Sequence, residues 1–358
     1  MSVTEPQTTP LPTPLADSAP DKGGPAQPLL IVRDLQKYFP VRGGILGGKK
    51  AVVQAVDGVS FEVRKGETLG IVGESGCGKS TTARLLIGLL EKDSGEIIYD
   101  GQDLGGALSL RDLRRGVQMV FQDSYASLNP RLTIEDSIAF GARIQGLSDP
   151  VGRARKLMDR VGLAPDRFAQ RYPHEVSGGQ RQRINIARAL AMSPRLVVLD
   201  EAVSALDKSV EAQVLNLLAD LRREFGLTYI FISHDLNVVR YISDRILVMY
   251  LGEVVEIAPV DDIWSAQAHP YTKSLFSAMP SMDPDNRTKE PPLAGDPPNP
   301  INPPPGCRFH TRCRFVDSVC KTKVPALRPL TAGGQHMAAC HLHDLGSGHK
   351  LAGKDVLS

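Results

Sequence analysis

The sequence predicts an α/β fold, and three observations carry that expectation. Short β-rich runs alternate with helical stretches between residues 29 and 280. One such run passes straight into a glycine-rich loop and then a helix. Another ends in two adjacent carboxylates. Along the chain, residues 1–28 hold seven prolines among Thr, Ser, Ala and Gly. Such a segment buries too little apolar surface to offset its ordering entropy, so it reads as a disordered tail. A glycine-rich stretch at 43–48 reads as a loop between two early strands. Strands are expected at 59–63, 117–121, 196–199, 229–232 and 246–249. Residues 209–225 place Val210, Val214, Leu217, Leu218 and Leu221 on one helical face. Ten prolines within 280–305 mark a linker over 281–306. A cysteine-rich region follows at 307–345, then a flexible end at 346–358.

Composition narrows the function classes. The 358 residues are 42% apolar and 23% charged, with a net charge of +2, so no bulk positive field argues for nucleic acid. Five cysteines are too few for a disulfide scaffold of this length. No apolar run approaches the roughly 18–20 residues of a membrane span. The first residues carry no basic start followed by an apolar stretch, so a secretory signal is not expected. A non-secreted globular protein with an unusual C-terminal end is the resulting expectation.

Residues 67–72 have the pattern of a buried strand. They lead into Gly73, Glu74, Ser75, Gly76, Cys77, Gly78, Lys79 and Ser80, with Thr81 opening a helix. This is G-x-x-x-x-G-K-S in strand–loop–helix context. Glycines let backbone N–H groups curl around phosphates, and the helix N-terminus adds partial positive charge. Lys79 supplies a point charge to the phosphates and Ser80 a hydroxyl ligand to Mg²⁺. Cys77 reads as a tolerated variable position; a thiol pKa lowered by the helix N-terminus and Lys79, with sensitivity to thiol reagents, is the lesser alternative.

Residues 196–199 end in Asp200 and Glu201. One carboxylate at a strand end can hold Mg²⁺, and the next can polarise an attacking water. His234 also follows a strand. Ser177, Gly178, Gly179 and Gln180 open a further helix and form a second anion cradle. Two phosphate cradles with one catalytic carboxylate point to a composite site between two subunits.

In these motifs the chain resembles an ATP-binding-cassette (ABC) ATPase subunit. Residues 73–80 resemble its Walker A, 196–200 its Walker B, and Glu201 its catalytic glutamate. Gln122 matches the Q-loop glutamine, 176–180 the signature with Val176 in place of the commoner Leu, Asp207 the D-loop, and His234 the switch histidine. Phe39 falls at the adenine-stacking position, with Tyr38 as runner-up. Ala202 stands where the family usually has proline, which raises the expectation of a looser D-loop. The resemblance implies a P-loop NTPase core with a helical subdomain over about 123–180. It implies ATP with Mg²⁺ held by Ser80, Gln122 and Asp200. Residues 127–131, 207–218, 43–48 and 269–272 resemble the oligopeptide/dipeptide/nickel importer branch. That branch implies a second homologous ATPase, forming a heterodimer, two membrane permease subunits and an extracytoplasmic substrate-binding protein. It also implies a peripheral place on the cytoplasmic face of the cell membrane. Peptide is the expected cargo, with nickel or another small solute as the alternative.

Cys307, Cys313, Cys320 and Cys340 offer four soft ligands, which can hold an iron–sulfur cluster or tetrahedral zinc. The absence of a CxxC pair and the resemblance to importer ATPases with a C-terminal [4Fe–4S] cluster favour the cluster; zinc and free thiols stay open. Two rival classes are a soluble ABC ATPase acting on ribosomes or DNA and a redox enzyme built on the cluster. The first lacks its usual second cassette or coiled-coil insertion here, and the second lacks a further cofactor motif.

Overall fold

The computed structural model describes residues 21–24, 26–41, 51–279, 298–354 and 356. The expected tail up to residue 20, the glycine-rich loop at 43–48 and the linker over 281–297 lie outside them. The strands are β1 (Leu30–Val41), β2 (Ala51–Val63), β3 (Thr68–Val72), β4 (Ser94–Tyr99), β5 (Gln102–Asp103), β6 (Val117–Val120), β7 (Leu196–Asp200), β8 (Thr228–Ile232), β9 (Arg245–Tyr250), β10 (Glu253–Pro259), β11 (Arg328–Pro329) and β12 (Met337–Ala338). One sheet runs β11-β12-β10-β9-β3-β8-β7-β6, the other β2-β1-β4-β5. Strands β9, β3, β8, β7 and β6 are mutually parallel, so the turns at their carboxyl ends open on one edge. In open α/β sheets that edge is where ligands bind.

The parallel strands are buried on both faces, which explains their unbroken apolar sequence. Alternate residues serve two cores. Leu69, Ile71, Val198, Ile230, Ile232, Leu247 and Met249 pack with Leu30, Val32, Val59 and Phe61 of the antiparallel sheet. Val197, Leu199, Tyr229, Phe231, Ile246 and Val248 pack with Ile184, Leu190, Val214, Leu218 and Val239 on helices. Each fully buried large side chain contributes about 1.5–3 kcal/mol to that burial. The helix Lys208–Phe225 starts at Asp207, whose carboxylate accepts from the Val210 amide, and stops at Gly226 in the left-handed region. Within 123–180, helices Ile134–Ile144 and Pro150–Arg160 pack on each other and on Gly178–Leu190.

Two expectations about the ends need correction. The last residues of the expected 1–28 tail are docked. The amides of Lys22 and Gly23 donate to Asp100 at 2.9 and 3.1 Å, and Asp21 pairs with Lys65 at 2.8 Å. The end expected to be flexible past 345 is also tied down. His349 is buried, its Nε2 is 2.9 Å from the Phe315 carbonyl, and the Gly353 amide donates to Leu342 at 2.9 Å. Composition hides such anchors because each is a single long-range hydrogen bond.

Candidate functional site

At the carboxyl edge of the parallel strands lies a cavity of about 400 Å³ lined by Ser75, Gly76, Gly78, Lys79, Ser80, Thr81, Gln122, Glu201 and His234, with Val53 and Ala55 opposite. The loop after β3 owes its shape to glycine. Gly73 has φ 148° and Gly78 φ 108°, and a Cβ on them would stand 2.2 Å from the Met249 carbonyl oxygen and 2.3 Å from that of Ala55. Lys79 is buried and donates to the carbonyls of Gly73 (2.7 Å) and Glu74 (3.0 Å), closing the loop on itself. The Ser80 hydroxyl donates to Asp200 at 3.0 Å, so the loop and β7 present two oxygens at one point. Burial raises the Asp200 pKa, with the Ser80 hydrogen bond opposing it. Hard oxygens beside a phosphate cradle are the donor set that suits Mg²⁺.

Glu201 stands at the next position with φ 47°, a conformation an L side chain rarely adopts. Its amide donates to the Ile232 carbonyl at 2.9 Å, and Ser204 donates to the Glu201 carbonyl through both amide (3.2 Å) and hydroxyl (3.0 Å). Those bonds fix the turn that proline would otherwise stiffen at Ala202. Gln122 donates to Glu201 Oε2 at 2.8 Å, and His234 Nδ1 lies 3.5 Å from the same oxygen. The ends of β6, β7 and β8 thus bring Gln122, Glu201 and His234 together.

Phe39 pairs in register with Val53, which lines the cavity, but Phe39 is not itself among the lining residues. Tyr38 is turned away and donates its hydroxyl to Asp57 at 2.6 Å, which removes it as the stacking residue. The surroundings of Cys77 weigh against the lesser alternative of a reactive thiol. The thiol is 3% exposed, and burial pushes its pKa up, with Lys79 only partly opposing this. The second cradle lies outside this cavity. Ser177 caps the helix Gly178–Leu190 in a capping box with Gln180, and Gly179 lies so close to Val210 that a Cβ would come within 2.5 Å. A wider groove of about 750 Å³ between β1, β2, β10 and residues 324–339 holds Asp57 and Glu253, but Arg308 already pairs with both.

Residues 56–204 match the family model for ABC transporters, and residues 255–320 that for the oligopeptide/dipeptide transporter C-terminal region. The oligopeptide transport ATP-binding protein AppF of Bacillus subtilis (strain 168) is 49% identical over 323 residues, spanning 88% of this chain and 97% of that protein. The chain belongs to the ATP-binding subunits of the oligopeptide/dipeptide ABC transporter family. The di/tripeptide transport ATP-binding protein DppF of Pseudomonas aeruginosa is a 48% identical relative over 318 residues, covering 87% of this chain and 97% of its own. Among solved structures, cbiO1 of Clostridium perfringens, part of the ABC transporter complex cbiONQ, superposes with TM-score 0.57 at 26% identity. It covers 66% of this chain and 91% of its own. The dimeric ATP-binding cassette MJ0796 in a post-hydrolysis state with ADP and Pi gives 0.56 at 28%, covering 64% and 98%. Among the described residues no helix is long and apolar enough to cross a membrane.

The C-terminal region typical of this ABC branch packs against the ATPase core. Strand β12 pairs with β10, and Glu256, fully buried, accepts from the amides of Ala268 and His269 at 2.8 Å and from His336 at 2.7 Å. His269 is buried in turn, and desolvation pushes its ring pKa down to about 4. Cys307, Cys313, Cys320 and Cys340 line one small cavity with Phe309, Phe315 and His341. Burial raises the thiols of Cys307 to about 12 and Cys313 to about 11, with the neighbouring cysteines adding to it. Among the described residues no group of three or more His, Cys, Asp or Glu stands close enough to hold a metal ion. The role of Glu256 in this packing has no local signal in the sequence.

Proposed function

We propose that this chain is the nucleotide-binding subunit that powers import of di- or oligopeptides through a membrane permease. The observation that carries the reading is the convergence of Lys79, Ser80 with Asp200, and Gln122 with Glu201 and His234 at the ends of adjacent parallel strands. In this reading Lys79 and the loop amides from Gly73 to Thr81 hold the β- and γ-phosphates of ATP. Ser80, Asp200 and Gln122 would hold Mg²⁺, which neutralises charge on the phosphate oxygens. Glu201 accepts the proton of the attacking water, and His234 orients that water and the γ-phosphate. Phe39 stacks on adenine.

Ser177, Gly178, Gly179 and Gln180 lie outside the cavity, so in this reading they serve the nucleotide held by a second homologous ATPase, with Asp207 alongside. Nucleotide then favours the closed pair, and loss of the γ-phosphate contacts reopens it. The helical segment 123–180 exposes Tyr125, Phe140 and Ile144, which supports a docking face for permease subunits on the cytoplasmic side of the membrane. A substrate-binding protein would deliver cargo from outside. The names of the relatives support peptide as cargo. Purification with its permeases and peptide-stimulated ATP hydrolysis would test this reading. Nickel-stimulated turnover with no response to peptides would overturn the cargo assignment.

The 307–345 region is proposed to hold a [4Fe–4S] cluster on Cys307, Cys313, Cys320 and Cys340. The support for this is that the four cysteines border one cavity, close enough in the fold to share one inorganic group. Its role in this reading is structural, because 307–345 holds few large apolar side chains. An anaerobic preparation with about four irons per chain and broad absorption near 400 nm is expected. A colourless, iron-free preparation would refute the cluster.

A further inference from the structure

Among the described residues, side chains from outside the cassette hydrogen-bond the phosphate loop at Glu74. The Glu74 carboxylate does not line the nucleotide cavity. It receives two hydrogen bonds from the Arg312 guanidinium, at 2.9 and 3.2 Å, in a fork geometry. The Arg312 side chain is only 5% exposed, while that of Glu74 is 23% exposed, so the pair is shielded from water mainly on the arginine side. The Tyr250 hydroxyl also lies 3.4 Å from the guanidinium. The Glu74 amide donates to the Tyr271 hydroxyl at 2.8 Å. Tyr271 is fully buried and packs on Tyr250 and Phe309, with ring centroids 4.6 and 5.5 Å away. Phe309 and Arg312 both belong to the short stretch between Cys307 and Cys313. The C-terminal region therefore grips both backbone and side chain of one loop residue, while Lys79 binds that residue's carbonyl from inside.

The chemistry of that position gives the grip a purpose. A carboxylate in a loop that receives phosphates repels the ligand unless a cation neutralises it and turns it away. We propose that Arg312, with Tyr271, is a positioning residue of the ATP site, through which the C-terminal region holds the phosphate loop ready for nucleotide. This rests on residues 73–80 being the ATP-binding loop. Arg312 touches no phosphate in this account and acts through Glu74 alone. Displacement of the 307–313 segment is then read out as weaker nucleotide binding.

The test is equilibrium binding of Mg·ATP to the full chain, with KM, kcat and thermal unfolding measured alongside. R312M should weaken Mg·ATP binding about tenfold while kcat at saturating ATP stays within about twofold. R312K should recover part of the loss. E74Q should have a smaller effect, and E74Q/R312M should bind better than R312M alone, because a neutral loop no longer needs the counter-charge. Y271F, which deletes one hydroxyl, covers the case in which R312M does not fold; it should raise the dissociation constant about threefold. Lowered thermal stability with unchanged affinity in R312M and Y271F would overturn the proposal. So would strictly additive effects of R312M and E74Q. Lys79→Ala serves as the separate control: undiminished binding there would instead remove the assignment of the loop itself.

Discussion

The nucleotide cavity and the cysteine cavity show two ways of making a site from one chain. The first is wide, about 400 Å³, and its polar lining comes from loops that follow parallel strands. The second is small and walled by Phe309, Phe315 and Leu342 around four thiols. In the first, chemistry is written into contiguous motifs, because each strand end contributes one short segment. In the second, the thiols come from four positions spread over 34 residues, from Cys307 to Cys340. Glu74 joins the two, since Arg312 reaches it from between two of the cysteines' segments. The difference shows that a backbone cradle needs only glycines and a helix start, whereas a side-chain cradle needs a scaffold to gather it.

Gly78→Ala is the largest perturbation expected at the first site. A Cβ there collides with the Ala55 carbonyl at φ 108°, so Mg·ATP binding should fall by more than about 100-fold. Retained binding in a titration would mean that this loop is not the phosphate cradle.

His269 borders the cysteine cavity and caps the helix Pro270–Ser277 that carries Tyr271. Glu256 and His343 face it, and desolvation dominates. Its ring is neutral in the folded protein down to about pH 4, while the unfolded chain takes up the proton near 6.5. The stabilisation is therefore full above pH 6.5 and lost progressively as pH falls toward 4, up to about 3 kcal/mol. His269→Asn keeps a capping acceptor and should flatten the fall of thermal stability across that window. An unchanged slope would place the titration elsewhere.

Cys313→Ser should lower the unfolding temperature by about 5 °C and abolish bound iron, leaving the fold of the α/β core by circular dichroism. Unaltered iron content would show that Cys313 is not a ligand. Smallest of all, a maleimide should label Cys77 in the native protein about tenfold more slowly than in urea, judged by peptide mass spectrometry, because the thiol is buried. Equal rates would favour the reactive alternative at Cys77.

The α/β core was legible because each parallel strand is an unbroken apolar run ending in a chemically marked loop. The strands expected at 117–121, 196–199, 229–232 and 246–249 coincide with β6 to β9 within a residue or two. Gln122, Glu201 and His234 were legible for the same reason. Arg312 and Tyr271 were not, since their partner Glu74 lies 238 and 197 residues away and no local pattern encodes such a meeting. At Cys77 the sequence shows the nearness of Lys79 but not the burial that opposes the reactive alternative. Tyr38 and Phe39 are neighbours on one strand, and which face looks into the cavity depended on the register with β2.

The central claim, that this chain hydrolyses ATP at the edge of β7 with Glu201 as base, is tested most directly by Glu201→Gln in the purified transporter. ATP hydrolysis should fall by at least about 100-fold while Mg·ATP binding persists and the ATP-bound pair of subunits accumulates. Turnover at the wild-type rate would contradict the account.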